Sequence, residues 1–196
     1  MSQNELETRS FDIDSINTED NLTISGYAIR FNQESQDLGG FKEVITPEAL
    51  RNVDLSDSYL LYNHNTDYVL GNTSSGTLSL TVDNNGLHFR ATLPDTTQGK
   101  DIYTLIKRGD LKGMSFAMKV QKDEWDLRSE PPLRKVKQIT DLREVSVVPF
   151  PAYKQTTVST RSLEILEEAK RYKQECQQCK ILAQEANQIL NEIKQN

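Results

Sequence analysis

A mainly β, α+β architecture is predicted for this chain by three observations. Apolar residues alternate strictly on both sides of an Asp-Asn-Asn-Gly turn, and several short β-branched and aromatic runs are bounded by polar loops. Inside the region they cover, a single longer stretch has helical spacing; it ends in Lys107, Arg108 and Gly109.

The first strand is expected over Leu22 to Phe31, LTISGYAIRF, where Gly26 suggests a bulge or a close backbone approach. A loop, QESQDLGG, follows. Thr46-Pro47 then supplies a cap residue and a proline at the first helical position, so a short helix is predicted to start there. Tyr59 to Tyr62 reads as a short buried strand that stops where Asn63-His64-Asn65 turns the composition polar, which puts His64 at a strand end.

Thr77 to Val82 places Leu78, Leu80 and Val82 on one face. After the turn Asp83-Asn84-Asn85-Gly86, the returning strand does the same with Leu87, Phe89, Ala91 and Leu93. This hairpin sends His88 away from the core face, as a solvated strand residue. Ile102, Leu105 and Ile106 mark a helix of about three turns, with a basic last turn and a terminating glycine. Two strands are expected after it, Leu111 to Gln121 and Leu133 to Val148, separated by a charged turn holding Trp125 and Pro131-Pro132.

The 196 residues suit one core plus an appendage. A globular unit over 1–153, a Ser/Thr-rich linker over 154–162 and a tail over 163–196 are the expected divisions. The tail is rich in Glu, Gln, Lys, Ala and Leu and has no glycine or proline, and two rows recur every seven residues. These are Ile165, Tyr172, Cys179, Ala186 and Ile193, and Ala169, Cys176, Ala183 and Leu190. A long helix with a heptad seam is predicted, pairing with another helix or docking on its own domain.

Charge and composition exclude several classes. A formal charge of −6 disfavours nucleic acid as the ligand, because that binding neutralises phosphates with clustered Lys and Arg. No run reaches the roughly 18 apolar residues a membrane span requires, and no secretory signal is visible over Met1 to Ser10, so a cytoplasmic site of synthesis is expected. Cys176 and Cys179 fall short of the about four ligands zinc needs, with both histidines far upstream, and no metal or cofactor is expected.

A serine becomes a nucleophile only beside a base, and the base needs a third group to hold its tautomer. In GMSFAMKV the residues Met114, Phe116, Met118 and Val120 share a face, so Ser115 points to the other side, free to face a groove. In LREVSVV the same parity turns Glu144 and Ser146 away from Val145 and Val147, so Glu144 could accompany Ser115 if the two strands pair; Asp141 is the competing carboxylate. With His88 assigned to a solvated face, His64 is the histidine left to explain.

The order and flanks of these residues resemble the tailed-phage prohead proteases. The likeness runs from about Arg9 to Arg161 through GYAIRFN, EVITPEAL, LLYNHN with Gly71 beyond it, GTLSL, GLHFRATLP, KRGDLKGMSFAM and LREVSVVPFPAY. Glu48 is a departure, since relatives commonly carry glycine after the proline. The resemblance implies a fold similar to the herpesvirus assembly proteases, a closed antiparallel β-barrel with flanking helices. It implies Ser115 as nucleophile, His64 as base and Glu144 as the acidic third member, with Asp141 still in competition.

It also implies a serine endopeptidase that processes scaffold protein, major capsid protein and itself inside an assembling procapsid in the host cytoplasm. The linker at 154–162 is the expected place for self-cleavage, and the tail the expected means of self-association. Two other readings stand beside it. One is a non-catalytic assembly factor working through the heptad tail; the other is a small-molecule serine hydrolase, which Gly113-Met114-Ser115-Phe116-Ala117 disfavours by lacking the G-x-S-x-G elbow.

Overall fold

A computed structural model of the chain describes residues 6–12, 16–149 and part of 164–184. Over 6–149 the described elements follow in the order β1 (Glu7–Asp12), β2 (Asn17–Glu19), β3 (Thr23–Arg30), β4 (Lys42–Ile45), a 3-10 turn (Pro47–Leu50), β5 (Tyr59–Tyr62) and β6 (Asn65–Asn72). They continue with β7 (Leu78–Val82), β8 (Gly86–Thr92), α1 (Thr97–Arg108), β9 (Gly113–Asp126) and β10 (Leu133–Val148). The architecture is mainly β, as the alternating patterns predict.

Local rules explain most of these elements. The β7–β8 hairpin closes through Asp83, whose side chain accepts hydrogen bonds from the backbone N–H groups of Asn85 and Gly86. Gly86 is obligatory there, because a Cβ would sit 1.9 Å from the Ile29 carbonyl oxygen. Helix α1 begins at Thr96, whose side chain accepts from the Gly99 N–H, and ends at Gly109 with φ of 82°.

The strands form two sheets. Six strands run β1-β9-β10-β5-β6 with β4 also on β10; the other four run β2-β3-β8-β7. β10 is long enough, at 16 residues, to hold both β4 and β5 parallel along one edge: β4 beside Leu133 to Val136, β5 beside Glu144 to Val147. Their inner faces meet in one core of Ile24, Leu87, Phe89 and Ala91 from the smaller sheet and Met114, Phe116, Met118, Val145 and Val147 from the larger, with Ile102 and Ile106 of α1.

The expected closed barrel is not formed. Among the described residues the two sheets share one backbone pairing, the parallel bridge Phe31 to Ile45, and their outer strands do not pair with each other. The reason lies where the chain passes from β6 to β7. It turns through 73–77 on side-chain hydrogen bonds: Asn72 donates to the Asp57 carboxylate and the Ser58 carbonyl, and its Oδ1 accepts from the Ser75 N–H. A ladder cannot continue through a corner satisfied in this way.

The long C-terminal helix is likewise not established. Almost all of both heptad rows lies outside the described residues, as do the linker and the end of the globular unit at 153. Cys179, the described seam position, is exposed, and Leu166 is buried beside Leu38 and Phe41.

Candidate active site

Three strands bring a row of hydroxyls together. On the outer face of the larger sheet Ser10 of β1 stands opposite Ser115 of β9, and Ser115 opposite Ser146 of β10. The parity of β9 puts Met114, Phe116 and Met118 in the core and leaves Ser115 on this second face. Two residues before Ser146 on the same face stands Glu144.

His64 reaches the row from a tight turn. Tyr62 pairs with Asn65, so Asn63 and His64 alone connect β5 to β6, with φ of 53° and 59°. Left-handed backbone at both central residues is the geometry of a type I′ hairpin, whose twist matches that of the strands it joins. Asn and His tolerate this region better than most side chains. The Asn63 N–H donates to the Val147 carbonyl at 2.9 Å, and the His64 N–H donates to Ser146 Oγ at 3.2 Å, which ties the turn to β10.

The imidazole spans the two expected partners. Nε2 is 2.7 Å from Ser115 Oγ, and Nδ1 is 2.7 Å from Glu144 Oε1. A carboxylate oxygen accepts, so Nδ1 carries the proton and Nε2 is left to receive one. Ser146 donates to the second oxygen, Glu144 Oε2, so the carboxylate is held from two sides. Asp141 lies elsewhere: it pairs with Lys119 and Arg143. His88 packs edge-on against Tyr27 and is half-buried rather than solvated.

Ser115 is not open to a groove, in contrast with the expectation from parity alone. It is fully buried. Its Oγ accepts from Ser10 Oγ at 2.7 Å, and the Arg9 carbonyl oxygen lies 2.8 Å away as a second acceptor for the one hydroxyl proton. Glu144 also lines a groove of about 700 Å³, with Tyr59, Leu61 and Val69 among its apolar lining and Asp54, Asp57 and Arg143 among its charged lining.

Sequence reasoning missed Ser10 and Arg9, because no strand is evident in 7–12, and gave Ser146 no role beyond its direction. The signal for Ser146 was present: it shares a face with Glu144 at the spacing that allows a side-chain hydrogen bond along one strand.

Buried ions hold β1 in place. Arg9 Nε donates to Glu43 Oε1 at 2.7 Å, and Arg9 also pairs with Glu7. Arg134 Nη1 donates to Glu7 Oε2 at 2.6 Å and to Glu43 Oε2 at 2.9 Å, and its Nε to Asp123 at 2.7 Å. Burial works against the charge on Arg134, but Glu43, Glu7 and Asp123 outweigh it and hold the guanidinium firmly protonated. Burial likewise pushes the Glu7 carboxyl up, and the hydrogen bond from Arg134 with the charges of Arg9 and Arg134 more than offsets this, leaving it below its ordinary value.

The model of the caudovirus prohead serine proteases matches residues 4–171. The prohead protease of Enterobacteria phage HK97 is 31% identical over 139 residues, which cover 68% of this chain. The chain spans 57% of that relative's length. No solved structure matches. A match over most of the chain, together with a relative at this identity, establishes that the chain belongs to the caudovirus prohead serine protease family.

Proposed function

We propose that this protein is a serine endopeptidase of procapsid maturation, with Ser115 as nucleophile, His64 as general base and Glu144 as the group that orients it. The observation that carries the reading is the placement of one imidazole within 2.7 Å of both the Ser115 hydroxyl and the Glu144 carboxylate. His64 Nε2 takes the Ser115 proton as Oγ attacks a peptide carbonyl, and returns it to the leaving amine. The acyl-enzyme is cleared by water, with His64 again the base. Glu144 keeps the proton on Nδ1 and stabilises the imidazolium, while Ser146 fixes the carboxylate.

The substrates in this reading are the phage scaffold and major capsid proteins, cleaved inside the assembling particle in the host cell, with self-cleavage in 154–162 as a further event. Family membership and the HK97 relative support the phage setting. The test is co-expression with the phage's own capsid and scaffold proteins. Ser115→Ala should abolish their processing, a loss of about 10⁶-fold in turnover for a nucleophile of this kind, while the fold is retained. Intact-mass spectra showing normal cleavage by that variant overturn the assignment.

A further inference from the structure

We propose that the edge of β9 beside Ser115 is the docking track for an extended peptide substrate, and that β1 is its internal occupant. The proposal rests on the serine peptidase reading above and adds how the substrate is held and what must leave before it enters.

Two observations meet here. Ser115 has no exposed surface, although a nucleophile must reach a peptide carbonyl. Yet a peptide carbonyl is already beside it: β1 runs antiparallel to β9 in continuous register from Glu7 opposite Met118 to Asp12 opposite Gly113, and the Arg9 carbonyl oxygen lies 2.8 Å from Ser115 Oγ. The contact is a hydrogen bond to the oxygen rather than an approach to the carbon, so the strand is held and not cut. Strand addition to a sheet edge is a general mode of peptide capture, with main-chain hydrogen bonds giving affinity. A substrate strand in the place of β1 would present its own carbonyl where that of Arg9 now stands, within reach of Ser115 and His64.

The anchoring of β1 is separate from the reacting groups. Arg9 and Glu7 lie on the opposite side of β1 from Ser10 and enter the cluster with Glu43 and Arg134, all of them buried. Weakening that cluster should release β1 without touching Ser115, His64 or Glu144.

The experiment uses the full chain and reads the rate at which a fluorophosphonate labels Ser115, with Ser115→Ala as blank. Arg9→Ala should label faster than wild type by about tenfold or more, since breaking one partner of a buried ion pair is strongly destabilising to what it holds. Glu7→Gln, a milder change, should fall between them and decides the matter if Arg9→Ala does not fold. Leu78→Ala, in the other sheet, controls for general loosening and should label at the wild-type rate. Cleavage of a proteome-derived peptide library should rise in parallel with labelling.

Equal labelling of wild type and the β1 variants, or the same acceleration in Leu78→Ala, overturns the proposal and leaves the peptidase reading standing. Faster labelling with no gain in library cleavage also overturns it, because β1 would then be a cover and not a substitute for substrate. Labelling indistinguishable from Ser115→Ala in every variant sinks the peptidase reading itself, and the proposal with it.

Discussion

Ser146 and His64 touch through the backbone rather than the ring: the His64 N–H donates to Ser146 Oγ, and the same hydroxyl donates to Glu144 Oε2. One buried hydroxyl therefore positions both the turn that carries the imidazole and the carboxylate that accepts the hydrogen bond from its Nδ1–H. Ser146→Ala removes both links at once and touches no substrate. We expect kcat to fall roughly thirtyfold, in line with about 1 kcal/mol for each of the two lost hydrogen bonds, with KM unchanged and the basic plateau of the pH profile kept. An unaltered kcat, or a loss confined to KM, would show that Ser146 positions nothing.

The two carboxylates that sequence reasoning could not separate differ in their partners. Glu144→Gln leaves the imidazole without its acceptor and should lower kcat/KM by roughly 10²–10⁴-fold. Asp141→Asn breaks only partly exposed pairs with Lys119 and Arg143 and should change it by less than about threefold. Steady-state kinetics on one cleavable peptide compares them, and equal losses would refute the assignment.

At Asn63 the backbone lies in the left-handed region, with φ of 53°. Asn63→Gly should be neutral in thermal unfolding, because glycine occupies this region freely, whereas Asn63→Val should cost about 1–2 kcal/mol. A valine variant as stable as the glycine one would contradict the turn geometry.

Glu7 predicts an acid limit on stability. Its carboxyl is held below the ordinary value of 4.5 in the folded protein, so the folded state binds fewer protons than the unfolded one. The contribution is complete above pH 4.5 and is lost as pH falls through the depressed value. Urea midpoints measured downward from neutrality should therefore drop below pH 4.5, and Glu7→Gln should be less stable at neutral pH with a shallower acid decline. An acid decline as steep in Glu7→Gln as in wild type would assign that sensitivity to other groups.

Short-range chemistry was legible in the sequence where one segment decides its own conformation. The Asp83 to Gly86 turn, the run from Thr96 to Gly109 and the Tyr59–Tyr62 strand all stand where propensity and pattern place them. So does the parity of Ser115 and Glu144, because alternation along a strand needs no knowledge of its neighbours. What could not be read depends on partners distant in the chain. β1 and β6 have too little apolar pattern to announce themselves, and they become strands by pairing with β9 and β5. The ionic cluster depends on pairs such as Arg9–Glu43 and Arg134–Glu7, 34 and 127 positions apart, which no local window contains. β9 extends to Asp126 and absorbs Trp125, which the charged composition of that stretch had assigned to a turn. The open sheets in place of a barrel follow from the corner at Asn72, a matter of a few side-chain amide bonds.

Because β4 and β5 lie end to end along β10, that one strand has two occupations. Near its start Arg134 gathers acids from three other strands, and near its finish Glu144 and Ser146 serve the imidazole. The irregularities in register between Val136 and Glu144 sit between the two ends, where the strand bends from one occupation to the other. Engineering the chain for endurance in harsh solvents has to leave the charged extremity intact, because the strand it anchors lies against Ser115.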